Sequence, residues 1–168
     1  MDAQFFIVMG VSGCGKTTIG TQLAERLGWD FYDADEFHPP ENIAKMSAGI
    51  PLTDADRHPW LVTLHDLIAT CLKENRPGVL ACSALKESYR ETLLRENENT
   101  AIIYLKGDFD LILSRMQARS EHYMKPEMLQ SQFDTLEEPT QAITLSTALP
   151  VQQIVETIIK RGKLATQN

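Results

Sequence analysis

A run of five apolar residues, followed by a glycine-rich segment and an amphipathic stretch, constrains this fold more than any other feature. The apolar run is FFIVM (Phe5 to Met9), and the glycine-rich segment is GVSGCGKT (Gly10 to Thr17). The stretch KTTIGTQLAERL (Lys16 to Leu27) then spaces its apolar residues at helical intervals. The pattern predicts a buried strand, a tight turn and a helix, which together open a parallel β-α-β unit.

The same alternation continues along all 168 residues, without an internal repeat or a linker that would divide the chain. Four further short apolar runs predict strands, at 30–35, 78–83, 101–105 and 142–146. The longer stretches between and after them predict helices, at 39–49, 53–74, 85–97, 108–119, 126–136 and 150–160. The sequence therefore predicts an α/β protein of one domain, residues 1–168, with a five-stranded parallel sheet and helices on both faces.

Charge and cysteine content exclude several classes of protein. The net charge of −7 argues against a general nucleic-acid or membrane-surface binder, although a local basic pocket is compatible with it. Cys14, Cys71 and Cys82 are far apart and odd in number, which disfavours disulfides and a zinc site. We see no signal peptide and no run of about 18 apolar residues, so we expect a cytoplasmic protein.

The glycine-rich segment fits the pattern G-x-x-x-x-G-K-[ST] in its required context of strand and helix. Its glycines allow backbone N–H groups to converge on phosphate oxygens at the positive end of a helix. Lys16 is expected to reach the β- and γ-phosphates, and the Thr17 hydroxyl to ligate Mg²⁺. The residues predicted to bind nucleotide here are Gly10, Val11, Ser12, Gly13, Cys14, Gly15, Lys16, Thr17 and Thr18.

Two carboxylates follow the second predicted strand in the sequence DAD. Alternation along a strand points Asp33 and Asp35 to the same side. One carboxylate can serve a metal and the other a substrate hydroxyl. Because Asp33 is nearer the strand end, we assign it to the magnesium shell, and Asp35 to the hydroxyl that attacks the phosphate. The alternative is a polar strand end without function.

Arg115 and Arg119 are spaced i, i+4 near the end of one predicted helix, so we expect them to share a face. One arginine can stack on a base, and the other can reach the charge on a transferring phosphate. The alternative is a solvated helix face. The four histidines have no metal-ligand spacing.

Four stretches give the chain a resemblance to bacterial gluconate kinases, the small P-loop kinases related to shikimate and nucleoside-monophosphate kinases. The stretches are MGVSGCGKTT, DADEFHPPENIAKMSAGIPLTDADRHPWL, CSALKESYRETLL and YLKGDFDLILSRMQARSEHYMKPEMLQSQFDTLEEP. The resemblance implies ATP-dependent phosphorylation of the 6-hydroxyl of D-gluconate with Mg²⁺. It also implies a homodimer and a mobile lid, which we place at about 119–126.

Particular residues take roles from this resemblance. Arg115 resembles the arginine that stacks on adenine, and Arg119 resembles the lid arginine that meets the γ-phosphate. Arg57 is similar in placement to the carboxylate-binding arginine of shikimate kinases. The further candidate substrate contacts are Lys86, Arg90 and His38. Cys14 stands where many relatives carry serine, and we expect it to be tolerated because only its backbone amide is needed.

Three alternatives remain open at this point. The first is a kinase for another small hydroxy acid or a nucleotide, although the chain has no Gly-Gly pair like that of shikimate kinases. The second is a regulatory GTPase, but neither D-x-x-G nor N-K-x-D occurs. The third is a nucleotide-binding protein without catalysis, which would not need the second aspartate or the lid arginines.

Overall fold

The computed structural model describes residues 2–119 and 125–164 and contains one sheet of five strands. The strands are β1 (Phe5–Met9), β2 (Asp30–Asp33), β3 (Gly78–Ala81), β4 (Thr100–Lys106) and β5 (Ile143–Ser146). They are arranged in the order β2-β3-β1-β4-β5, and all neighbouring pairs are parallel. The predicted fold class and the predicted five-stranded parallel sheet are confirmed.

Seven α-helices connect and follow the strands in the described part of the chain. They are α1 (Lys16–Leu27), α2 (Pro40–Ser47), α3 (Asp54–Lys73), α4 (Glu87–Leu94), α5 (Phe109–Ala118), α6 (Pro126–Thr135) and α7 (Val151–Leu164). Most predicted bounds agree to within a few residues. The second strand was predicted to end at residue 35. In the structure it ends at Asp33 and is followed by a 3₁₀ turn, Ala34–Phe37.

Local sequence explains where the longest helix begins. Thr53 accepts a hydrogen bond from the Asp56 N–H, and the Asp56 carboxylate accepts one from the Thr53 N–H, which forms a capping box. The Thr53 N–H contributes most to holding the pKa of Asp56 at about 2, and Lys45 adds a salt bridge of 2.9 Å. This corner joins α2 to the start of α3, and both elements flank the site described below.

Strand alternation divides the core into two layers, one on each face of the sheet. In β1, the side chains of Phe6 and Val8 pack on one face with residues of α1 and α7. Phe5, Ile7 and Met9 pack on the other face with residues of α3 and α4. Both faces of the central strand are therefore buried, as expected of a parallel sheet covered by helices. None of the described helices has the length and apolar content needed to span a bilayer.

Candidate active site

A cavity of about 420 Å³ opens beyond the carboxyl ends of β1, β2 and β3. Ligands of parallel α/β sheets bind at this edge. The cavity is lined by the glycine-rich loop, by the residues after β2 and β3, and by residues from the α2–α3 region. Its wall contains many of the residues singled out in the sequence, namely Ser12, Gly13, Gly15, Lys16, Thr17, Thr18, Asp33, Asp35, His38, Arg57 and Arg119.

The loop after β1 has the backbone form that its glycines predict. Gly13 has φ 80° and Gly15 has φ 101°, both in the left-handed region that favours glycine. A Cβ at Gly13 would also lie 2.6 Å from the Met116 side chain. Lys16 begins α1 and folds its side chain back over the loop, where Nζ donates to the carbonyls of Gly10 (2.9 Å) and Val11 (3.1 Å). Gly15 precedes α1 and has no side chain to cap it, and the N–H groups at a helix N-terminus favour an anion.

Cys14, the one cysteine in this loop, is a packing residue. Its side chain is buried in the core layer that contains α1, and burial raises the pKa of its thiol. A thiol so held is protonated at neutral pH and has no nucleophilic role.

Gln132, on α6, is a site residue that the sequence analysis missed. Its side-chain oxygen accepts a hydrogen bond from the Ser12 N–H at 2.7 Å, and its side-chain nitrogen donates to the Ser12 hydroxyl at 2.9 Å. Gln132 also lines the cavity. It therefore fixes the glycine-rich loop to a helix 120 residues away in the sequence, a contact that no local pattern reveals.

Asp33 and Asp35 both reach the cavity, but not by the geometry that we predicted. Asp35 lies in the 3₁₀ turn, so strand alternation does not apply to it. Asp33 ends β2 and caps that turn, because its Oδ1 accepts a hydrogen bond from the Asp35 N–H at 3.0 Å. Trp60 also holds the turn, because its Nε1 donates a hydrogen bond to the Ala34 carbonyl at 2.7 Å.

His38 lies in the cavity wall just after this turn. Its ring stacks on Trp60, with ring centroids 4.3 Å apart and an angle of 12° between the planes. Burial lowers the pKa of His38, which favours the neutral ring at physiological pH. The amide of Asn42 lies 3.2 Å from its Nδ1.

Arg57 contributes a cation to the cavity from the first turn of α3. Its Nη1 donates to the Leu52 carbonyl at 2.8 Å and to the Tyr89 hydroxyl at 3.3 Å. The Tyr89 hydroxyl in turn donates to Asp54, and this hydrogen bond is the main reason that the pKa of Asp54 is lowered. Tyr89 thus connects the arginine to a carboxylate at the rim.

The structure does not bring Lys86 and Arg90 into the cavity with the other candidate substrate contacts. Lys86 pairs with the exposed Asp54 at 3.1 Å. Arg90 is buried, and its guanidinium donates to three backbone carbonyls, those of Ala84, Leu85 and Glu137. The charged groups of both residues are bound by other groups of the protein.

Replacing Arg90 with methionine should therefore reduce stability and leave substrate affinity intact. The change removes donors from buried carbonyls, and an unpaired buried group costs about 1–3 kcal/mol. Urea unfolding should show a lower free energy of unfolding, whereas KM for the phosphate acceptor should stay within about twofold in the folded fraction. A selective rise in that KM with unchanged stability would restore Arg90 as a substrate contact.

A second cavity of about 380 Å³ adjoins the first and shares Gly13, Gly15, Thr18 and Arg119 with it. Arg115, at the end of α5, and Thr147, after β5, also line it. The Thr147 hydroxyl is buried and has no hydrogen-bond partner within residues 2–119 and 125–164. Arg119 contributes to both cavities, and Arg115 to the second alone. The predicted lid, about 119–126, falls largely on residues 120–124, which are outside the described residues.

The donors at this edge fit a magnesium ion. Thr17 and Asp33 line the same cavity and offer oxygen ligands, which Mg²⁺ prefers. Mg²⁺ usually keeps several waters and takes few protein ligands, with substrate phosphates completing its shell. The described residues contain no cluster of three or more histidine, cysteine, aspartate or glutamate side chains that could hold a metal alone.

The fold and the site together define the class of protein, a P-loop kinase. The family model described as Shikimate kinase matches residues 12–162. A shikimate kinase structure from Aquifex aeolicus, at 16% identity, has a TM-score of 0.58 and shares the fold.

More similar relatives define the family more narrowly. The thermoresistant gluconokinase of Escherichia coli K12 is 42% identical, with 96% of this chain and 97% of that protein covered. The gluconokinase of Gluconobacter oxydans is 48% identical, with 81% and 76% covered. The crystal structure of a gluconokinase from Sinorhizobium meliloti 1021 has a TM-score of 0.86 at 40% identity, with 97% and 93% covered. This chain belongs to the gluconokinase family.

Proposed function

We propose that this protein transfers the γ-phosphoryl group of ATP to the 6-hydroxyl of D-gluconate, giving 6-phospho-D-gluconate. The observation that carries the proposal is one cavity that is lined by the glycine-rich loop, two carboxylates and two arginines. Its gluconokinase relatives are similar over most of their lengths. The alternative, a kinase for another small hydroxy acid of the shikimate-kinase type, is not favoured, because the shikimate kinase neighbour is only 16% identical.

The two adjoining cavities provide the two halves of an ATP site. The glycine-rich loop and the start of α1 would hold the phosphates, since backbone N–H groups converge there. The second cavity would hold the base, with Arg115 against its face and Thr147 in its wall. Arg119 borders both cavities, and we place it at the γ-phosphate.

Catalysis in this arrangement depends on placement and charge. Asp35 orients the 6-hydroxyl and accepts its proton as the oxygen attacks the γ-phosphorus. Lys16 and Arg119 stabilise the charge on the transferring group, and ADP leaves. Thr17 and Asp33 would hold Mg²⁺, and a bound Mg²⁺ would supply positive charge that neutralises the phosphates.

Arg57 is the group that we assign to the substrate carboxylate. It lines the cavity that contains Asp35, and its guanidinium is held by the Leu52 carbonyl and the Tyr89 hydroxyl. A guanidinium held in this way can form a paired hydrogen bond with a carboxylate. We do not propose substrate contacts for Lys86 or Arg90, because other protein groups bind their charged ends.

Arg57 should therefore determine the preference for gluconate over glucose, which lacks the carboxylate. The wild-type protein should favour gluconate in kcat/KM by at least about 100-fold. Arg57→Met should raise KM for gluconate at least about tenfold, leave KM for ATP unchanged and reduce the preference. Steady-state kinetics with both sugars measure this.

Two variants serve as controls for Arg57. Lys86→Met removes a nearby, partly exposed cation outside the cavity and should change KM for gluconate by less than about threefold. Tyr89→Phe keeps the aromatic ring but removes the hydroxyl that binds Arg57, so its effect should be intermediate. Equal kcat/KM for glucose and gluconate in the wild type would contradict the proposed substrate.

The family resemblance also leads us to propose a homodimer, a cytoplasmic location, a single kinase domain over residues 1–168 and a lid at about 119–126. The lid would exclude water from the γ-phosphate and so limit wasteful ATP hydrolysis. Sedimentation velocity and hydrogen exchange with and without an ATP analogue and gluconate test the dimer and the lid.

A further inference from the structure

Asn42 and His38 form a hydrogen-bonded pair whose geometry fixes where the ring proton lies. The Asn42 amide is buried, with 3% of the residue exposed. Its nitrogen donates to the Asp56 carbonyl at 2.9 Å, and the same nitrogen lies 3.2 Å from His38 Nδ1. Because a carbonyl can only accept, the Asp56 contact identifies the Asn42 atom as nitrogen.

The protonation of the ring follows from this assignment. The second hydrogen of the Asn42 amide faces His38 Nδ1, which must therefore present its lone pair. In a neutral imidazole the remaining proton is then on Nε2. Within the described residues, the Nε2–H has no hydrogen-bond partner, and His38 lines the cavity.

The surroundings of the ring support the neutral form, and the ring lines the same cavity as the two proposed substrate contacts, Asp35 and Arg57. The burial of the ring favours the uncharged state, and the stack on Trp60 fixes the plane of the ring. Asp35 and Arg57 are the charged groups that act on His38, with opposite effects on its pKa. His38 is therefore within electrostatic reach of both the carboxylate assigned to the 6-hydroxyl and the arginine assigned to the substrate carboxylate.

We propose that Asn42 is a positioning residue that holds His38 as its Nε2–H tautomer, and that this N–H donates a hydrogen bond to a hydroxyl in the middle of the sugar-acid chain. The inference rests on the proposed function, since the two ends of the substrate are assigned to Asp35 and Arg57. A neutral donor suits a neutral hydroxyl oxygen. The contact would select acids that carry a hydroxyl at that carbon.

Two His38 variants separate the donor from the bulk of the ring. His38→Phe keeps a flat ring but has no N–H, so KM for gluconate should rise about tenfold, with KM for ATP unchanged. His38→Gln carries an amide nitrogen near the position of Nε2 and should stay within about threefold of the wild type. Equal KM values for the two variants, or an equal change in KM for ATP, would overturn the contact.

Deoxy analogues of the substrate identify the hydroxyl. Wild-type protein and His38→Phe are assayed with D-gluconate and with its 3-deoxy and 4-deoxy forms. For one analogue, kcat/KM of the wild type should be about tenfold lower than with gluconate. For the same analogue, kcat/KM of His38→Phe should be nearly the same as its own value with gluconate, because the contact is already absent. The same loss in both proteins for both analogues would show that His38 does not touch either hydroxyl.

The tautomer is measured directly by long-range ¹H–¹⁵N NMR of histidine-labelled protein, with His38→Gln used to assign the signal. In the wild type, Nδ1 should be the unprotonated nitrogen and Nε2 the protonated one. Asn42→Asp replaces the donor with an acceptor, so the proton should move to Nδ1 and KM for gluconate should rise about tenfold. A protonated Nδ1 in the wild-type neutral ring, or a reversed tautomer with unchanged KM, would overturn the role of Asn42.

Asn97→Asp is the matched control for placing a carboxylate at a buried asparagine. Asn97 is also 3% exposed, and its amide donates to the carbonyls of Leu93 and His65, outside the site. This variant should lose stability but keep the His38 tautomer and KM for gluconate. An equal effect on KM would mean that Asn42→Asp acts by general destabilisation.

The proposed function and this inference can fail separately. If the wild type phosphorylates gluconate and the His38 variants behave alike, only the inference fails. If the wild type does not phosphorylate gluconate at all, the proposed function and the His38 contact are both overturned, whatever tautomer the NMR spectrum shows.

Discussion

Replacing Lys16 with methionine is expected to reduce kcat by at least about 100-fold while the fold stays intact. Among the described residues, the hydrogen-bond partners of Lys16 Nζ are the neutral carbonyls of Gly10 and Val11. These carbonyls position the ammonium group over the loop without neutralising it. Its charge is then available to the transferring phosphoryl group, where it lowers the barrier.

The methionine variant keeps the length of the side chain, so the comparison isolates the charge. Lys106→Met is the matched control, because Lys106 pairs with Glu138 and is 57% exposed. That control should retain wild-type kcat and thermal stability. Retention of more than about a tenth of wild-type turnover in Lys16→Met would contradict the assignment of the loop.

The second large effect is expected at Asp35. Asp35→Asn keeps the size and the hydrogen bonding of the side chain but removes the basic carboxylate. If this carboxylate accepts the proton of the 6-hydroxyl, kcat should fall by about 10²–10⁴-fold, with ATP affinity nearly unchanged. Single-turnover measurements and ATP-analogue titration separate these two quantities.

Asp33→Asn is the natural comparison, since the amide oxygen of asparagine can still accept the hydrogen bond that Asp33 Oδ1 receives from the Asp35 N–H. The 3₁₀ turn should therefore persist, and the variant should need more Mg²⁺ and recover part of its activity when Mg²⁺ is raised. Rescue of Asp35→Asn by Mg²⁺, without rescue of Asp33→Asn, would reverse the two roles. If neither substitution matters, Asp33 and Asp35 are only polar residues at the end of β2 and in the turn after it.

The features that could be predicted from the sequence depend on interactions between residues that are close in the chain. The alternation of strands and helices is set by patterns within a few residues of the chain. The turn of the glycine-rich loop could also be predicted from the sequence, because Gly13 and Gly15 adopt backbone angles that favour glycine.

The error at the end of β2 shows how a hydrogen bond from a short side chain to the backbone can end a strand that the alternation of residues would continue. We extended strand alternation through Asp35, but the Asp33 carboxylate binds the backbone two residues further on and turns the chain. Both carboxylates still reach the cavity. The strand alternation from which we expected both side chains on the same side does not apply, since Asp35 lies in the 3₁₀ turn.

The features that the sequence could not reveal depend on packing between distant segments. Gln132 meets Ser12 across 120 residues, and Tyr89 meets Arg57 across 32. Arg90 resembles a substrate contact in sequence because it is a surplus cation. Only the fold places three backbone carbonyls around its guanidinium.

The central claim is that the primary hydroxyl of gluconate receives the γ-phosphate. The most direct measurement is ³¹P NMR of the reaction of purified wild-type protein with ATP and Mg²⁺, with D-gluconate, D-glucose, shikimate or AMP in parallel. Only gluconate should be consumed rapidly, giving ADP and one new phosphate monoester whose ³¹P signal is split into a triplet by the two protons on C6. A doublet from a secondary ester, or faster turnover of shikimate, glucose or AMP, would contradict the account.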